Sequence, residues 1–215
     1  MTTKIRQVKK EIIVFDFDGT LIDSTQEIVE AYNESFSKNN LYRVPARLIK
    51  QNLGKFRETI IKKIYPSLGS RKIRKIAEDQ GKLLDISKAQ AKPNVVETLT
   101  KLSRKYTLAI ASNAEHKTIV KTLQHLEINP RFFKAIVGMD NISHRKPSTE
   151  ALEKLERALG SKIRAVVGDT ETDIQMAKSY NVLAVAVVGT RSYKDLLKEY
   201  PDIIVKDLSE LSELI

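Results

Sequence analysis

Two acidic residues, Asp16 and Asp18, stand at the end of the apolar run Ile12-Ile13-Val14 and are followed by Gly19 and Thr20. In a strand, alternate side chains face the same side, so both carboxylates would project from one face. Two carboxylates that close repel each other unless a bound cation or a shared proton relieves them. The stretch therefore predicts a site for acid or metal chemistry, and the alternative is an ordinary turn built from Asp and Gly.

Three further polar clusters follow apolar runs later in the chain, and each holds residues that can bind phosphate or metal: Ser112-Asn113, Lys146-Pro147 and Gly168-Asp169-Thr170-Glu171-Thr172-Asp173. Taken singly, each cluster has a purely structural explanation. Ser112 could cap a helix, a lone lysine is usually solvated, and acids are favoured at helix N-termini. Their meaning therefore depends on whether the fold brings them together.

The pattern of the chain predicts an α/β fold. From residue 93 onward, apolar β-rich runs alternate with amphipathic segments, which indicates a parallel sheet with helices on both faces and right-handed crossovers. Six strands are predicted, at residues 11–16, 107–111, 135–137, 165–167, 183–188 and 203–205. Helices are predicted at residues 94–105, 115–127, 148–159 and 172–180, with a short helix before the last strand and another after it.

The block from residue 24 to residue 92 interrupts this alternation and shows helical patterns without a strand. Ser24 to Glu27 form a capping-box sequence with Ser24 as the predicted helix cap. Further helices are predicted at residues 45–52, 56–65 and 70–90. Because the block follows the first strand, at the edge where such sheets bind ligands, it is positioned to act as a lid. The predicted domains are a core of residues 1–22 and 93–215 and an inserted helical domain of residues 23–92.

Composition narrows the class of protein. The 215-residue chain has no cysteine, so neither a disulfide framework nor thiolate chemistry is expected. The polar, basic stretch Met1–Lys10 does not resemble a secretory signal, and no apolar run reaches the length of a membrane span. We therefore expect a cytoplasmic protein without a membrane partner, and the sequence leaves its oligomeric state open.

The net charge of +10 is concentrated in one part of the chain. Residues 25–92 hold 15 Lys and Arg against 7 Asp and Glu, whereas the remainder holds 22 against 20. Such a basic block could attract phosphate-bearing ligands or nucleic acid. The alternative is a set of helices with solvated lysine faces.

Parallel strands bring their carboxyl ends to one edge of a sheet, so the four polar clusters are expected to meet there. The gathered set would combine four carboxylates with one amine and two hydroxyls: Asp16, Asp18, Asp169, Asp173, Lys146, Ser112 and Thr20. Four carboxylates and one amine require a hard cation, and a set of oxygen ligands favours Mg²⁺. Mg²⁺ beside a lysine and hydroxyl donors predicts phosphoryl chemistry.

The motifs DFDGT, Ser112, Lys146-Pro147 and GDTETD, in this order, resemble the haloacid dehalogenase-like (HAD) hydrolase superfamily. The resemblance covers the whole chain, and the helical block is similar to the small α-helical cap of that family. It implies a Rossmann-like parallel sheet in the order 3-2-1-4-5-6, with the site under the cap. Within the superfamily, the sequence looks most like the phosphoglycolate-phosphatase-like members.

The resemblance also implies roles for the motif residues. Asp16 would be the nucleophile that forms an aspartyl-phosphate, and Asp18 would protonate the leaving oxygen and then activate the hydrolytic water. Mg²⁺ would be held by Asp16, by the backbone carbonyl of Asp18 and by Asp169. Asp173 would position Lys146 or a metal-bound water without binding the metal directly. The phosphoryl group would be bound by the other polar residues of these motifs together with the lysine: Thr20, Ser112, Asn113 and Lys146.

Lys55 and Arg57 lie in a turn between two predicted cap helices, where members of the family place a substrate loop. Lys55 is the first candidate and Arg57 the second for meeting an anionic leaving group. The alternative is that Gly54 ends a helix here and Lys55 is merely solvated.

The predicted function is a Mg²⁺-dependent phosphatase that hydrolyses a small phosphorylated metabolite. Asp18 argues against the dehalogenases of the family, which lack this acid, but leaves sugar phosphomutases of the β-phosphoglucomutase type open. A phosphate-binding switch like a response-regulator receiver is a second hypothesis, although receivers lack both this acid and a cap. A nucleic-acid end phosphatase ranks third, because the basic block lacks the interleaved aromatic residues that stack on bases.

Overall fold

The structure is a computed structural model that describes residues 9–215. The prediction that Met1–Lys10 is not a secretory signal therefore falls largely on residues 1–8, outside the described residues, as does the start of the predicted core. Among the helices of residues 9–215, none combines the length and apolar character that crossing a membrane requires.

The described chain forms eight strands, which in chain order are β1 (Ile12–Phe15), β2 (Ile22–Asp23), β3 (Gln90–Ala91), β4 (Thr107–Ala111), β5 (Phe133–Val137), β6 (Ile163–Gly168), β7 (Leu183–Val187) and β8 (Ile203–Val205). Its α-helices are α1 (Thr25–Lys38), α2 (Ala46–Lys50), α3 (Arg57–Ile64), α4 (Ser70–Leu83), α5 (Val95–Lys105), α6 (His116–His125), α7 (Glu150–Leu159), α8 (Glu171–Ser179), α9 (Tyr193–Leu197) and α10 (Leu211–Leu214). Short 3-10 turns occur at residues 130–132, 139–141 and 208–210.

Six of the strands form one parallel sheet in the order β5-β4-β1-β6-β7-β8. Numbered along the chain within this sheet, the order is 3-2-1-4-5-6, so the predicted fold class and strand order are confirmed. The central strand β1 pairs with β4 on one side and with β6 on the other. The chain therefore reverses its winding beside β1, where α/β sheets open a crevice for ligands.

Both faces of β1 are covered, which explains its uninterrupted apolar sequence. Ile13 and Phe15 belong to an apolar cluster with side chains of α5 and α6. Ile12 and Val14 belong to a second cluster with side chains of α7 and α8. All four side chains are fully buried, so the strand that carries the first two acids is held rigidly.

The inserted helices have an apolar cluster of their own. Its buried members all lie between residues 29 and 77, on helices α1 to α4 and at Leu53 in the turn after α2, and include Tyr32, Phe36, Ile49, Ile61 and Ile76. A separate cluster of this kind supports the proposed division into a core and an inserted domain, which we call the cap.

The connection between core and cap differs from the sequence prediction. Helix α4 ends at Leu83, and Gln90–Ala91 form β3, which pairs antiparallel with β2 where the chain enters and leaves the cap. The predictions of a helix over 70–90 and of a block without strands are therefore wrong. The pairing joins residues that are far apart in sequence, so the local sequence pattern cannot predict it.

Candidate active site

The polar clusters that follow β1, β4 and β6 meet beneath the cap around a cavity of about 120 Å³. The core contributes Asp16, Asp18, Ser112, Asn113, Lys146 and Thr170 to the cavity wall, and the cap contributes Tyr32, Lys55, Arg57 and Gln80. Residues scattered along the chain thus converge on one place.

Lys146 lies between two buried carboxylates. Its Nζ is 2.7 Å from Asp16 Oδ1 and 2.7 Å from Asp173 Oδ1. Burial by itself would lower the pKa of Lys146, but the carboxylates of Asp16 and Asp173 raise it above its ordinary value. The amine is therefore a fixed positive charge beside Asp16. The contact with Asp173 is consistent with the prediction that Asp173 positions Lys146.

Asp173 is oriented by the first turn of α8. Its Oδ2 accepts hydrogen bonds from the backbone N–H of Thr170 at 3.1 Å and from the Thr170 hydroxyl at 2.6 Å. Gly168 makes this packing feasible, because a Cβ there would lie 2.3 Å from the Cβ of Asp173. The GDTETD sequence thus begins a helix and also directs one carboxylate oxygen toward Lys146.

The acidic residues form a cluster that fits a metal ion. Oxygen atoms of Asp16, Asp169 and Asp173 lie within 4.8 Å of one another. Burial, together with the nearby Asp173 carboxylate, raises the pKa of Asp169 to about 6, and burial also raises the pKa of Asp16. Within residues 9–215, Lys146 is the only cation that forms an ion pair with this cluster. Uncompensated negative charge and an oxygen-only donor set suit Mg²⁺, which relieves the repulsion.

We expect Mg²⁺ to stabilise the protein and the variant Asp169→Asn to lose most of this effect. A ligand present at a hundred times its Kd stabilises the native state by about 2.7 kcal/mol, which raises the unfolding temperature by roughly 5 to 10 °C in a domain of this size. Differential scanning fluorimetry with Mg²⁺ and with EDTA measures it. The exposed Asp85, in the connection that follows α4, provides the control Asp85→Asn. A full Mg²⁺ effect in Asp169→Asn would place the metal elsewhere.

Asp18 receives a hydrogen bond from Ser24, the residue that follows β2 at the start of the cap. The hydroxyl of Ser24 donates to Asp18 Oδ1 at 2.5 Å. Burial raises the pKa of Asp18, and the Ser24 hydrogen bond opposes this shift. Ser24 stands at the N-cap position of α1, as predicted, but its side chain makes no capping hydrogen bond, and Asp23 Oδ1 accepts from the backbone N–H of Thr25 instead. A carboxylate is a stronger partner for a hydroxyl than a backbone amide is.

Asp169 is held by two donors. The Thr20 hydroxyl donates to Asp169 Oδ1 at 3.3 Å, and the backbone N–H of Thr190 donates to Asp169 Oδ2 at 2.8 Å. Thr20 is fully buried, so the structure gives it a role in orienting Asp169 in place of the predicted contact with substrate. Sequence reasoning missed Thr190, because it contributes its backbone N–H, which every residue except proline has.

Ser112 and Asn113 play different parts at the end of β4. Ser112 Oγ accepts from the backbone N–H of Ala114 at 3.1 Å, which leaves its hydroxyl proton for a ligand. Helix α6 begins only at His116, so Ser112 does not cap it. The Asn113 amide donates to the backbone carbonyl of Gly54 in the cap at 3.2 Å. Asn113 therefore connects the core to the cap beside the cavity.

The cap side of the cavity carries two cations and an unpaired amide. Lys55 Nζ lies 3.6 Å from Glu171 Oε1, so Lys55 faces the core and is not simply solvated. The Arg57 guanidinium lies against α4, where a Cβ at Gly81 would come within 3.2 Å of its Nη1. Gln80 is 2% exposed, and its Oε1 finds no hydrogen-bond partner in the described part of the chain. Gln80 was missed, although a polar residue on the apolar face of α4 signals it.

The chain is similar to known proteins both in sequence and in fold. The sequence model of the haloacid dehalogenase-like hydrolase family matches residues 13–187, which include every motif described above. The chain belongs to this family. The solved haloacid dehalogenase-like hydrolase from Bacteroides fragilis superposes on this HAD-like hydrolase with a TM-score of 0.87 at 22% identity, over 94% of this chain and 100% of that one.

Two relatives of this HAD-like hydrolase carry phosphatase names. It is 30% identical to a phosphoglycolate phosphatase of Mesorhizobium japonicum over 193 residues, 84% of this chain and 83% of the relative. It is 29% identical to pyrophosphatase PpaX of Oceanobacillus iheyensis over 207 residues, 94% of this chain and 95% of the relative. The predicted family is thereby confirmed, and the predicted enzyme class, a hydrolase of phosphoric monoesters, agrees with it.

Proposed function

We propose that this HAD-like hydrolase is a Mg²⁺-dependent phosphatase that acts on a small phosphomonoester with an anionic leaving group. The observation that carries the proposal is the position of Asp16, which lines a small cavity between Lys146 on the core side and the cationic Lys55 and Arg57 of the cap. The phosphatase names of the relatives from Mesorhizobium japonicum and Oceanobacillus iheyensis support it.

In the proposed reaction, a carboxylate oxygen of Asp16 bonds to phosphorus while the bond from phosphorus to the leaving oxygen breaks. Asp18, two residues along and on the same cavity wall, donates a proton to that oxygen. Asp18 then takes a proton from the water that hydrolyses the aspartyl-phosphate, which releases inorganic phosphate and restores Asp16. Lys146 and the Ser112 hydroxyl bind the phosphoryl oxygens during both steps.

The residues that would hold Mg²⁺ are Asp16, Asp169 and the backbone carbonyl of Asp18. Once bound, the ion supplies positive charge against the phosphoryl oxygens. Asp173 and Thr20 orient Lys146 and Asp169, respectively, and Thr190 donates to the second oxygen of Asp169. Each charged group at the centre of the site therefore has a partner that fixes its direction.

The size of the cavity supports a small metabolite as substrate. The cavity of about 120 Å³ lies beneath the cap and is lined by side chains of both core and cap, which suits a small phosphorylated molecule. A nucleic-acid backbone would need an open groove. We therefore favour the attraction of a small anion as the role of the basic cap, over the binding of nucleic acid by an end phosphatase. Hydrolysis itself is tested by release of inorganic phosphate, because a phosphomutase would return the phosphoryl group to the sugar.

The variant Arg57→Gln tests the predicted charge of the leaving group. We expect its KM for phosphoglycolate to rise about tenfold to a hundredfold, since a charge-assisted hydrogen bond contributes roughly 1.5–3 kcal/mol. Pyrophosphate should respond in the same way, whereas p-nitrophenyl phosphate, whose leaving group carries no second anion, should keep its KM. Steady-state kinetics on the three substrates measures the difference.

Arg47→Gln is the matched control, because Arg47 is exposed on the neighbouring helix α2. Equal losses on all three substrates would mean that Arg57 supports the cap or the transferred phosphoryl group, and would contradict an anionic leaving-group site. Unchanged kinetics on phosphoglycolate and pyrophosphate would contradict it as well.

A further inference from the structure

One segment of the cap, residues 50–57, is attached to the core by a basic residue that the proposed reaction does not use. We call this segment the substrate loop, because it runs from the end of α2 to the start of α3 and carries Lys55 and Arg57. The basic residue is Arg191, in the core loop that follows β7. Its side chain is only 11% exposed although it is charged.

Arg191 connects a core carboxylate to two carbonyls of the substrate loop. Its Nε donates to Glu171 Oε2 at 2.8 Å, and its Nη2 lies 3.2 Å from Glu171 Oε1. On the cap side, its Nη1 donates to the carbonyl of Lys50 at 3.0 Å and its Nη2 to that of Leu53 at 2.8 Å. These carbonyls lie at the end of α2 and just beyond it, and the Lys50 carbonyl also accepts from the backbone N–H of Leu53 at 3.2 Å.

The geometry of a guanidinium explains why an arginine stands here. Its planar fork presents five N–H donors, so one side chain can bind a carboxylate and two carbonyls at once. The lysine ammonium is a compact point charge and lacks this fork. Glu171 binds Arg191 and also lies 3.6 Å from Lys55, so one carboxylate links the core to both ends of the substrate loop.

Other contacts hold the second half of the substrate loop. Asn113 donates to the Gly54 carbonyl, and Gly54, at φ +87°, lies so close to Thr170 that a Cβ would approach its Cγ2 to 2.9 Å. The Arg145 guanidinium lies 5.5 Å from the centre of the Phe56 ring. The first half of the loop has the Arg191 contacts instead. Because the chain passes between core and cap only through β2 and β3, such contacts determine where the loop lies over the cavity.

We infer that Arg191, anchored by Glu171, is a positioning residue that holds the substrate loop against the core and so directs Lys55 and Arg57 toward the leaving group. The attachment of the loop stands on geometry alone and is measured without substrate. Only its kinetic consequence rests on the proposed phosphatase function.

Hydrogen–deuterium exchange of the 215-residue chain tests the attachment. In Arg191→Ala and in Glu171→Gln, we expect backbone exchange within residues 48–57 to accelerate about tenfold or more, because each loses charge-assisted hydrogen bonds that oppose opening. Helix α7, and α8 beyond its first turn, should exchange at the wild-type rate. Arg191→Lys should resemble Arg191→Ala, since lysine cannot bridge three acceptors. Lys194→Ala, an exposed neighbour of Arg191, is the matched control.

Unchanged exchange in the substrate loop of both Arg191→Ala and Glu171→Gln would overturn the inference. An acceleration spread evenly over the core would overturn it too, because it would show a general loss of stability. Full protection in Arg191→Lys would refute the bridging role of the fork.

Kinetics supplies the second readout. In Arg191→Ala, kcat/KM for phosphoglycolate should fall about tenfold, mainly through KM, because part of the binding must draw the loop back into place. An unchanged KM would overturn the positioning role. If the wild type released no phosphate from any substrate, the proposed function would fail while the exchange result still decided the attachment.

Discussion

The variant Asp16→Asn is expected to lower the rate of phosphate release by at least about a thousandfold, because loss of a covalent nucleophile costs orders of magnitude in kcat. An amide oxygen carries no negative charge and is a poor nucleophile toward phosphorus. The change also leaves Lys146 with Asp173 as its remaining ion-pair partner, at 2.7 Å. Steady-state release of inorganic phosphate from p-nitrophenyl phosphate measures the loss.

Two checks make this result decisive. Asp23→Asn is the matched control, because the exposed Asp23 lies in the same segment and an asparagine can still accept from the Thr25 N–H. Mass spectrometry excludes reversion of the new asparagine to aspartate by deamidation. Turnover close to that of the wild type in a homogeneous Asp16→Asn preparation would contradict covalent catalysis by Asp16.

The largest expected effect on stability is that of Lys146→Met. Removing the amine leaves Asp16 and Asp173 buried without their shared cation, and loss of one partner of a buried ion pair lowers the free energy of unfolding by about 3–5 kcal/mol. Turnover should also be lost, since Lys146 binds the phosphoryl group in the proposed reaction. Equilibrium unfolding in urea, in the presence of EDTA, measures the stability difference.

Addition of Mg²⁺ to Lys146→Met provides a second test of whether the lysine balances the charge of the acid cluster. A divalent cation at the acid cluster should recover a larger part of the unfolding free energy in this variant than it adds to the wild type, because it offsets the charge that the amine had balanced. Lys162→Met is the control, because Lys162 pairs with Glu156 on the surface and is 84% exposed. Equal urea midpoints for Lys146→Met and the wild type would contradict the role of Lys146 as the buried counter-ion.

The sheet could be predicted from sequence because its determinants are local and repetitive. The continuous apolar run of β1, the alternation of later strands and helices, and the handedness of crossovers together leave one arrangement, which the observed order confirms. The missed strand β3 shows the limit of this reasoning. Gln90–Ala91 have no strand pattern of their own and become a strand only by pairing with Ile22–Asp23.

For the candidate site too, the sequence could predict some features and not others. Residues that follow strands of the sheet, such as Asp16, Lys146 and Asp169, could be placed together from topology alone. The directions of single side chains could not, because they depend on partners brought in by the fold. The Ser24 hydroxyl binds Asp18 and makes no capping hydrogen bond, although Ser24 is the N-cap residue of α1, and the Thr20 hydroxyl binds Asp169. Arg191 escaped notice because its partners, Glu171 and the carbonyls of Lys50 and Leu53, come from two segments that are distant from each other in sequence.

The paired strands β2 and β3 make the cap a structurally separate insertion. Since Ile22 lies opposite Ala91 and Asp23 opposite Gln90, the chain departs from the sheet and returns to it at neighbouring points. Everything between those points, including Lys55, Arg57 and Gln80, can be exchanged for another helical insert with adjacent ends while β1 keeps its place. Substitutions in the insert can thus change what covers the cavity while Asp16 and Asp169 keep their places, provided that Ser24, which donates to Asp18, is kept.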